Sequence, residues 1–265
     1  MPYILLVKPI FLLVLVFAFV ASLLVSGQSA EPSSCSTFPR CNELGTAALK
    51  SGRIDEAIDL FKQQAALAEV ADINLQTGSG RSRHRPYTLA VPAYNNLALA
   101  YFKKHDYFWG RAWAHVALRW DKDNSAAQFN LREIEQALGK WQWPQMLAGE
   151  YVLYGGRGTW ETFIVRPASA GNIEFCFSGL WWGRGEGPSG IGDLHATVPI
   201  HDNQAEYSTH EFGEKECRIS MKFSPDKLEV KQIGDDFDCG FGHNVTANGT
   251  FERISSEVEC TPEER

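Results

Sequence analysis

Apolar residues follow two different periods along this chain. From about residue 42 to residue 138 they recur every three or four positions, most clearly over 127–138, which is the period of an amphipathic helix. Beyond residue 149 apolar and polar residues alternate, most regularly over 217–223, which is the period of a strand with one buried face. The two periods predict an α+β protein of two domains, with helices first and strands second.

The second half is expected to fold as an antiparallel barrel. Turn sequences such as Asp202-Asn203 and Asn248-Gly249 divide it into short segments. We predict eight strands, over residues 150–154, 159–166, 173–180, 193–200, 205–209, 217–223, 227–233 and 249–254. Eight strands with one apolar face each suit a small barrel or a sandwich, and closure into a barrel removes the exposed edges. The barrel interior would be filled by Phe163, Phe175, Phe177, Met221 and Phe223.

Two segments of the first half have the spacing of paired helices. The clearer one covers 42–65, with regularly spaced residues at Leu44, Gly45, Ala48, Gly52, Ile54, Ala57 and Phe61. A weaker copy covers 95–121, with Gly110 where a small alanine is expected and Ala114 where a bulky residue is expected. The copies are separated by a Gly-, Ser- and Arg-rich connection from about residue 75 to residue 85. The spacing resembles that of tetratricopeptide (TPR) repeats, and a generic antiparallel helical bundle is the alternative.

The TPR resemblance implies binding. Helix pairs of this kind cannot bury their apolar faces alone, so they stack and form a groove. The resemblance implies that the first helix of each pair lines the concave face of that groove. The residues expected there are Asn95, Asn96, Tyr101 and Lys103. Tyr101 also falls on a packing position, so burial in the helical core is its alternative.

The first thirty residues have the pattern of an export signal. Residues 10–25 form an apolar run with one lysine before it and small residues after it, as in a signal peptide or a signal anchor. We expect four regions: a signal peptide or signal anchor over 1–30, a TPR-like helical domain over 31–140, a linker over 141–148 and a barrel domain over 149–265. The protein would be periplasmic or secreted, or anchored to the inner membrane by residues 4–25.

The cysteine content agrees with export. The chain has six cysteines, an even number that suggests disulfides in an oxidising compartment, with fifteen possible connectivities. Cys35 and Cys41 are close enough in sequence to be joined at the beginning of the first helix, and Cys217 and Cys239 could join neighbouring strands. Cys176–Cys260 is the pair that then remains. One or two buried free thiols are the alternative. None of the spacings is that of a CxxC zinc or redox pair.

The two halves also differ in charge. Residues 31–148 contain 14 Lys and Arg against 12 Asp and Glu, whereas residues 149–265 contain 10 against 20. An acidic surface repels nucleic acid and anionic lipid and attracts basic partners. We therefore expect a protein partner of basic character and no nucleic-acid partner. Contact with a membrane is expected only through an uncleaved N-terminal segment.

The barrel half carries a recognisable series of motifs. A cysteine begins the strand 217–223, a second strand follows, and then come Cys239-Gly240 and a final Gly249-Thr250-Phe251 strand. These features resemble a calycin-like domain of exported proteins from Gram-negative bacteria, over most of residues 149–254. The barrel is also similar to those of periplasmic lysozyme inhibitors, which implies a binding loop at one barrel end.

Trp181 and Trp182 stand at the beginning of a glycine-rich loop. The membrane-bound lysozyme inhibitors have a Ser-Gly-x-x-Tyr loop, and here Ser178-Gly179 is followed by tryptophan where tyrosine is expected. Neighbouring residues of a strand point to opposite faces, so at least one of these tryptophans should leave the barrel core and serve as an interface anchor. Packing of Trp182 against the helical half, or against Trp141 and Trp143, is the alternative.

Residue patterns of enzymes and metal sites are missing from the sequence. Ser189 lacks the surroundings of a hydrolase nucleophile, and the glycine-rich stretches lack a phosphate-binding pattern. His195, His201 and His210 lack metal-ligand spacing. The acidic run 235–238 lacks the spacing of a calcium loop and is interpreted as a solvated turn. We expect no catalytic residues, no metal and no cofactor.

Together these patterns favour a non-enzymatic, exported adaptor of the bacterial envelope that binds another protein. One alternative is a lysozyme-inhibitor-like protein that acts through a barrel loop. The other is a lipocalin-like binder of a small apolar ligand, which requires free space inside the barrel.

Overall fold

In a computed structural model of the protein, five helices precede eight strands within the described residues, which are 34–78, 87–139, 147–183 and 189–256. This is the predicted α+β order of a helical part and a barrel. The predicted signal, the tryptophans Trp141 and Trp143, and Cys260 lie outside the described residues. No helix in the described ranges is both long and apolar enough to cross a membrane.

The helices of the described first half are α1 (Phe38–Lys50), α2 (Ile54–Gly78), α3 (Val91–Lys103), α4 (Tyr107–Trp120) and α5 (Ser125–Leu138). Three of them begin at a side chain that accepts a hydrogen bond from a backbone N–H, which is a favourable N-cap. These caps are Thr37, Asp106 and Asn124. Helix α2 continues to Gly78, past the point near residue 75 where the connection was expected to begin.

Glycines allow consecutive helices to approach closely. A Cβ on Gly45 would lie 2.5 Å from the ring of Phe61. Helices α1 and α2 therefore pack closely at this glycine and this phenylalanine. A Cβ on Gly110 would lie 3.3 Å from the carbonyl oxygen of Ala98. The glycine that replaces the expected alanine at position 110 therefore lets α4 lie close to α3.

Eight antiparallel strands close into a barrel in chain order, with β8 paired to β1. They are β1 (Gly149–Gly156), β2 (Thr159–Pro167), β3 (Asn172–Trp181), β4 (Gly190–His201), β5 (Gln204–Thr209), β6 (Cys217–Phe223), β7 (Lys227–Ile233) and β8 (Gly249–Ser255). Every predicted strand is present, and the predicted bounds of β6 and β7 are those observed. The closed barrel, rather than a sandwich, is therefore the fold of this half.

Large side chains fill the barrel interior. The five that the alternation predicts there are all buried in one cluster: Phe163, Phe175, Phe177, Met221 and Phe223. The ring centroid of Phe163 lies 4.8 Å from that of Phe177 and 4.9 Å from that of Phe251. These rings occupy space that a ligand inside the barrel would need.

Two of the expected disulfides are present. Cys35–Cys41 lies at the beginning of α1, and Cys217–Cys239 joins the first residue of β6 to the loop after β7. Cys176 is also disulfide-bonded. These covalent links agree with an exported protein, because disulfides persist in oxidising compartments.

We expect loss of the Cys217–Cys239 disulfide to lower the free energy of unfolding by about 3 kcal/mol. The bond joins residues 22 positions apart and so restricts the unfolded chain. Cys35–Cys41 joins residues only 6 positions apart, and its loss should cost about 1 kcal/mol less. Urea unfolding of the two double serine variants measures both losses. Equal losses, or an unchanged midpoint for the Cys217 and Cys239 pair, would contradict the loop-closure explanation.

Candidate functional site

The described helices and strands belong to one compact unit, and a buried glutamate joins them. Glu69, on α2, has no exposed surface. Its carboxylate accepts hydrogen bonds from the hydroxyls of Tyr94 on α3 and Tyr154 on β1, each at 2.6 Å. It also accepts one from the backbone N–H of Arg157, in the turn between β1 and β2. Donors from the helices and from the barrel thus meet at one carboxylate, which fixes the two parts to each other.

Burial controls the protonation of this group. It raises the pKa of Glu69, and the hydrogen bonds from Tyr154 and Tyr94 oppose that rise. Burial also raises the pKa of both tyrosines, with the nearby Glu69 charge adding to the effect, so their hydroxyls remain protonated and act as donors. Because its partners are all supplied by the protein, Glu69 has a structural role in holding the fold together.

A second set of contacts joins α4 to the side of the barrel. Arg111 is buried, and its Nη2 donates to the backbone oxygens of Asp226 at 3.0 Å and Arg253 at 3.2 Å. Its Nε lies 3.3 Å from the carboxylate of Glu252. The same carboxylate lies 2.6 Å from Nδ1 of His115. Since these partners lie on β8 and in the turn between β6 and β7, α4 is held along the outside of the barrel.

A cavity of about 280 Å³ opens where α2, α3 and α4 meet the hairpin of β1 and β2. Five aromatic side chains form most of its wall, together with Lys62, Ala65 and Gly158: Tyr101, Trp109, Trp113, Tyr154 and Trp160. We call this space the aromatic cavity. The plane of Trp160 makes an angle of 79° with that of Trp109 and 83° with that of Trp113. Since the ring centroids are only 5.0 and 4.9 Å apart, Trp160 packs edge-to-face against both tryptophans.

One end of the barrel is strongly acidic. We define the acidic rim as the loops 210–216 and 234–248, which contain six Asp and Glu against one Lys. The carboxylate of Asp238 accepts hydrogen bonds from the backbone N–H groups of Lys215 and Asp235, each at 3.1 Å, and so connects the two loops. Asp238 is 5% exposed. The interpretation of 235–238 as a solvated turn is therefore wrong at this residue.

Two phenylalanines are exposed on the acidic rim. Phe212 and Phe237 retain 57% and 61% of their accessible surface. The ring of Phe212 lies against Gly240, and a Cβ on Gly240 would come within 2.9 Å of that ring. The φ of +74° at Gly240 also favours glycine over other residues. Because Cys217–Cys239 and Asp238 link the loops, the rim holds large apolar side chains toward solvent on a fixed frame.

The four residues predicted to line a helical groove have different neighbours. Asn95 bonds to a side chain of α5 and Asn96 to one of α1, both at 2.8 Å. Successive residues of a helix point about 100° apart, so the side chains of Asn95 and Asn96 contact two different neighbouring helices. Lys103 is exposed at the end of α3. Tyr101 is 9% exposed and lines the aromatic cavity.

Trp181 and Trp182 have different surroundings, in agreement with strand alternation. Trp181 packs against the barrel core, and its ring centroid lies 5.5 Å from that of His243. Trp182 is half-buried, and its Nε1 donates to Oγ1 of Thr159 at 2.9 Å. The guanidinium of Arg157 lies 5.2 Å from the centroid of the Trp182 ring. Trp182 thus packs against the turn between β1 and β2.

Groups of side chains that could hold a metal ion do not occur among the described residues. His195 lies 2.5 Å from Glu174, to which Arg166 also donates. The hydrogen bonds from Arg166 and His195 lower the pKa of Glu174 to about 2. His201 and His210 are exposed on other parts of the barrel.

Neither Glu69 nor the tryptophans of the aromatic cavity belong to a motif of the sequence. A carboxylate within the mostly apolar stretch 65–71 was a signal for a buried acid. The tryptophans were harder to find, because Trp109 and Trp113 lie on a helix and Trp160 on a strand. Only the docking of α4 against the barrel brings them together.

Neither known protein families nor curated proteins supply a relative of this chain. No protein-family model matches the chain, and no curated protein is significantly similar to it. The resemblances to TPR repeats and to calycin-like barrels are therefore carried by the motifs of the chain alone. The function has to be inferred from the geometry and charge of the described residues.

Proposed function

We propose that this protein is a non-enzymatic, exported adaptor that binds a basic protein through its acidic rim. The observation that carries the proposal is the exposure of Phe212 and Phe237 within loops that hold six carboxylates and one lysine. Large apolar side chains exposed together mark interaction sites, and aromatic residues are frequent anchors of interfaces. The surrounding charge would select partners of opposite sign and speed their encounter.

The stiffness of the rim supports this proposal. Cys217–Cys239 and the hydrogen bonds to Asp238 fix the two loops before any partner arrives. A surface that is already ordered loses less conformational entropy on binding, so more of the contact energy appears as affinity. The helices would serve to attach and present the barrel, because Glu69 and Arg111 join the two parts.

We also propose that the helical part is TPR-like and that the barrel is calycin-like. The stacking of consecutive helices and the packing of Gly45 on Phe61 support a TPR-like helical part. The closed barrel of eight strands supports a calycin-like second part. The disulfides support export, and we propose a periplasmic or secreted location, with anchoring by residues 4–25 as the alternative.

Serine at both positions 212 and 237 is expected to weaken capture of the partner at least about 100-fold, because each interface anchor contributes about 2 kcal/mol. The matched control is Val70→Ser, since Val70 is an apolar residue of α2 that is 45% exposed. Quantitative capture from envelope extract by the whole immobilised protein measures the effect. Wild-type capture should also fall as salt is raised. Equal capture by the double variant and the wild type would contradict the proposal.

Inhibition of a basic hydrolase such as lysozyme is a second candidate function. The same observation favours it, because carboxylates and exposed aromatic side chains on the loops of one barrel end suit binding to a basic cleft. In this case the wild-type protein would slow the lysis of cell walls by lysozyme, and the double serine variant would not. An unchanged rate of lysis in the presence of the wild-type protein would reject this candidate and leave the adaptor proposal in place.

A further inference from the structure

The barrel is incompletely paired between β4 and β5. Within the described residues, β4 pairs with β5 only through its last two residues, Ile200 and His201. On its other side, β4 pairs with β3 through ten consecutive residues, 190–199. A strand that is paired on one side only presents unused backbone N–H and C=O groups on the other. We call this unpaired side of β4, over residues 193–197, the open edge.

Pro199 explains why the pairing stops. The turn 202–203 has positive φ at both residues, so His201 and Gln204 close the hairpin with mutual hydrogen bonds. Mutual pairs of this kind recur at every second residue of an antiparallel ladder, and the next would join Pro199 to Glu206. Because proline has no N–H, it cannot donate to this pair. The ladder between β4 and β5 therefore ends at this point.

Alternate residues of β4 direct their backbone groups toward the open edge. Since these groups change side at every residue of a strand, those of Asp193, His195 and Thr197 lie on the side that faces β5 at the hairpin. Ile191 belongs to the same series, and its carbonyl oxygen accepts a hydrogen bond from the N–H of Gly242 at 2.8 Å. Gly242 is part of the acidic rim, so the rim adjoins one end of the open edge.

Apolar side chains on the inner face of this region are incompletely covered. Leu194 and Ala196 of β4 and Tyr207 of β5 pack against the barrel core but are only partly buried. Val198, which lies closer to the paired end of β4, is 6% exposed. Side chains on one face of a further strand would cover the partly exposed apolar atoms. Every second residue of that strand should therefore be apolar.

The outer face beside the open edge is acidic near the rim. Asp193 is exposed, and the rim beside it contains six Asp and Glu against one Lys. Glu206 is exposed on β5, where Arg218 at 3.5 Å offsets part of its charge. Ile191 is 56% exposed at the rim end of β4. Basic side chains on the outer face of an added strand would complement the charge of Asp193 and the rim.

We propose that the open edge binds an extended segment of the partner, whose backbone pairs with Asp193, His195 and Thr197. Alternate side chains of the segment are apolar and basic: the apolar ones contact Leu194 and Tyr207, and the basic ones lie near Asp193 and the rim. In strand addition of this kind, main-chain hydrogen bonds supply affinity and the alternate side chains supply specificity. This inference deepens the proposed adaptor function and rests on it, since one basic protein would contact both the edge and the rim.

A short peptide of alternating valine and lysine, added to the whole protein, tests the proposal. Amide hydrogen exchange followed by NMR should show at least about tenfold more protection at Asp193, His195 and Thr197 when the peptide binds. The amides of Leu194 and Ala196, which face β3, are the internal control and should not change. Replacement of the lysines of the peptide by glutamate should weaken binding at least about tenfold. N-methylation of either all its valines or all its lysines removes the N–H groups from one edge of the peptide, and at least one of these two forms should not bind.

A proline variant tests the edge from the side of the protein. Thr197→Pro removes one N–H from the open edge and should weaken binding of the peptide about fivefold or more. Pro199 already occupies the same series of positions, so the ladder with β3 is kept, and circular dichroism checks the fold. The matched control is Thr197→Ala, which keeps the N–H and should bind the peptide as the wild type does.

Several outcomes would overturn the proposal. Equal binding of the parent peptide and both N-methylated forms, or unchanged exchange of the three edge amides, would exclude strand addition. Protection of these amides that rises with protein concentration without any peptide would assign the edge to a second copy of this chain. The adaptor function is judged separately by capture from envelope extract. Capture that falls with serine at 212 and 237 but not with Thr197→Pro would leave the rim as the binding site and reject the edge. Capture that changes with neither, while the peptide still protects the edge amides, would reject the rim instead.

Discussion

Replacement of Glu69 by alanine is expected to lower the free energy of unfolding by about 3–5 kcal/mol. The substitution leaves the hydroxyls of Tyr94 and Tyr154 and the N–H of Arg157 without their common acceptor. It also leaves a space that the surrounding side chains fill only in part. Because these donors lie on α3 and on the β1–β2 hairpin, helices and barrel should lose stability together in one transition.

Urea unfolding followed by fluorescence and by far-ultraviolet circular dichroism measures this loss. The matched control is Val70→Ala, the next residue of α2, whose side chain is exposed and whose loss should change the free energy by no more than about 0.5 kcal/mol. Glu69→Gln keeps one acceptor oxygen and should give an intermediate loss. A Glu69→Ala loss no larger than that of Val70→Ala would show that this carboxylate does not join the two parts.

The stability of the wild-type protein is expected to depend on pH through Glu161, on β2. Burial raises the pKa of this carboxyl from its ordinary 4.5 to about 7, and the charge of Arg119 opposes the rise. The folded state therefore holds the proton more tightly than the unfolded state. This contribution to stability is fully present below pH 4.5 and is lost as the pH rises through 7.

Glu161→Gln should remove this dependence, because the amide is neutral at every pH. Relative to the wild type, the variant should gain roughly 3 kcal/mol of stability between about pH 4 and about pH 8, from a pKa difference of between two and three units. Unfolding free energies measured across that range for both proteins test the expectation. Profiles that stay parallel at every pH would contradict the elevated pKa of Glu161.

The barrel could be predicted closely because its signal is local. Alternation fixes which face of each strand is buried, and turn residues such as Asp202-Asn203 mark where strands end. Both residues of that pair adopt positive φ, of +49° and +61°, which agrees with a tight turn between β4 and β5. The strand β4 begins at Gly190, three residues before its predicted start. Gly190 and Gly192 have no side chains, so the alternation of apolar and polar residues is not visible there.

The connection between the two parts could not be predicted in the same way. Glu69 lies 25 positions from Tyr94 and 85 positions from Tyr154, and no local pattern links residues so far apart. The aromatic cavity depends on the same docking, since its rings come from α3, α4, β1 and β2. On the helical side, Gly110 was a visible departure from the expected spacing, and the close approach of α3 and α4 gives its physical reason.

The barrel interior and the barrel end have opposite characters. Inside, Phe163 and the rings packed against it leave the space filled, so a lipocalin-like ligand site at the barrel centre receives no support. At the end, Phe212 and Phe237 remain exposed among carboxylates. Burial of apolar side chains is the main favourable term of folding. The proposed partner would cover these two exposed phenylalanines and so bury them.

Photo-crosslinking in cells that produce the protein tests the proposed adaptor function most directly. A photoreactive amino acid at position 237, on the acidic rim, is expected to form a crosslink to a basic protein of the cell envelope. The same amino acid at position 70, which replaces another exposed apolar residue, on α2, is expected to give none. Crosslinks at position 70 and not at 237, or no crosslink to any protein at 237, would contradict binding through the acidic rim.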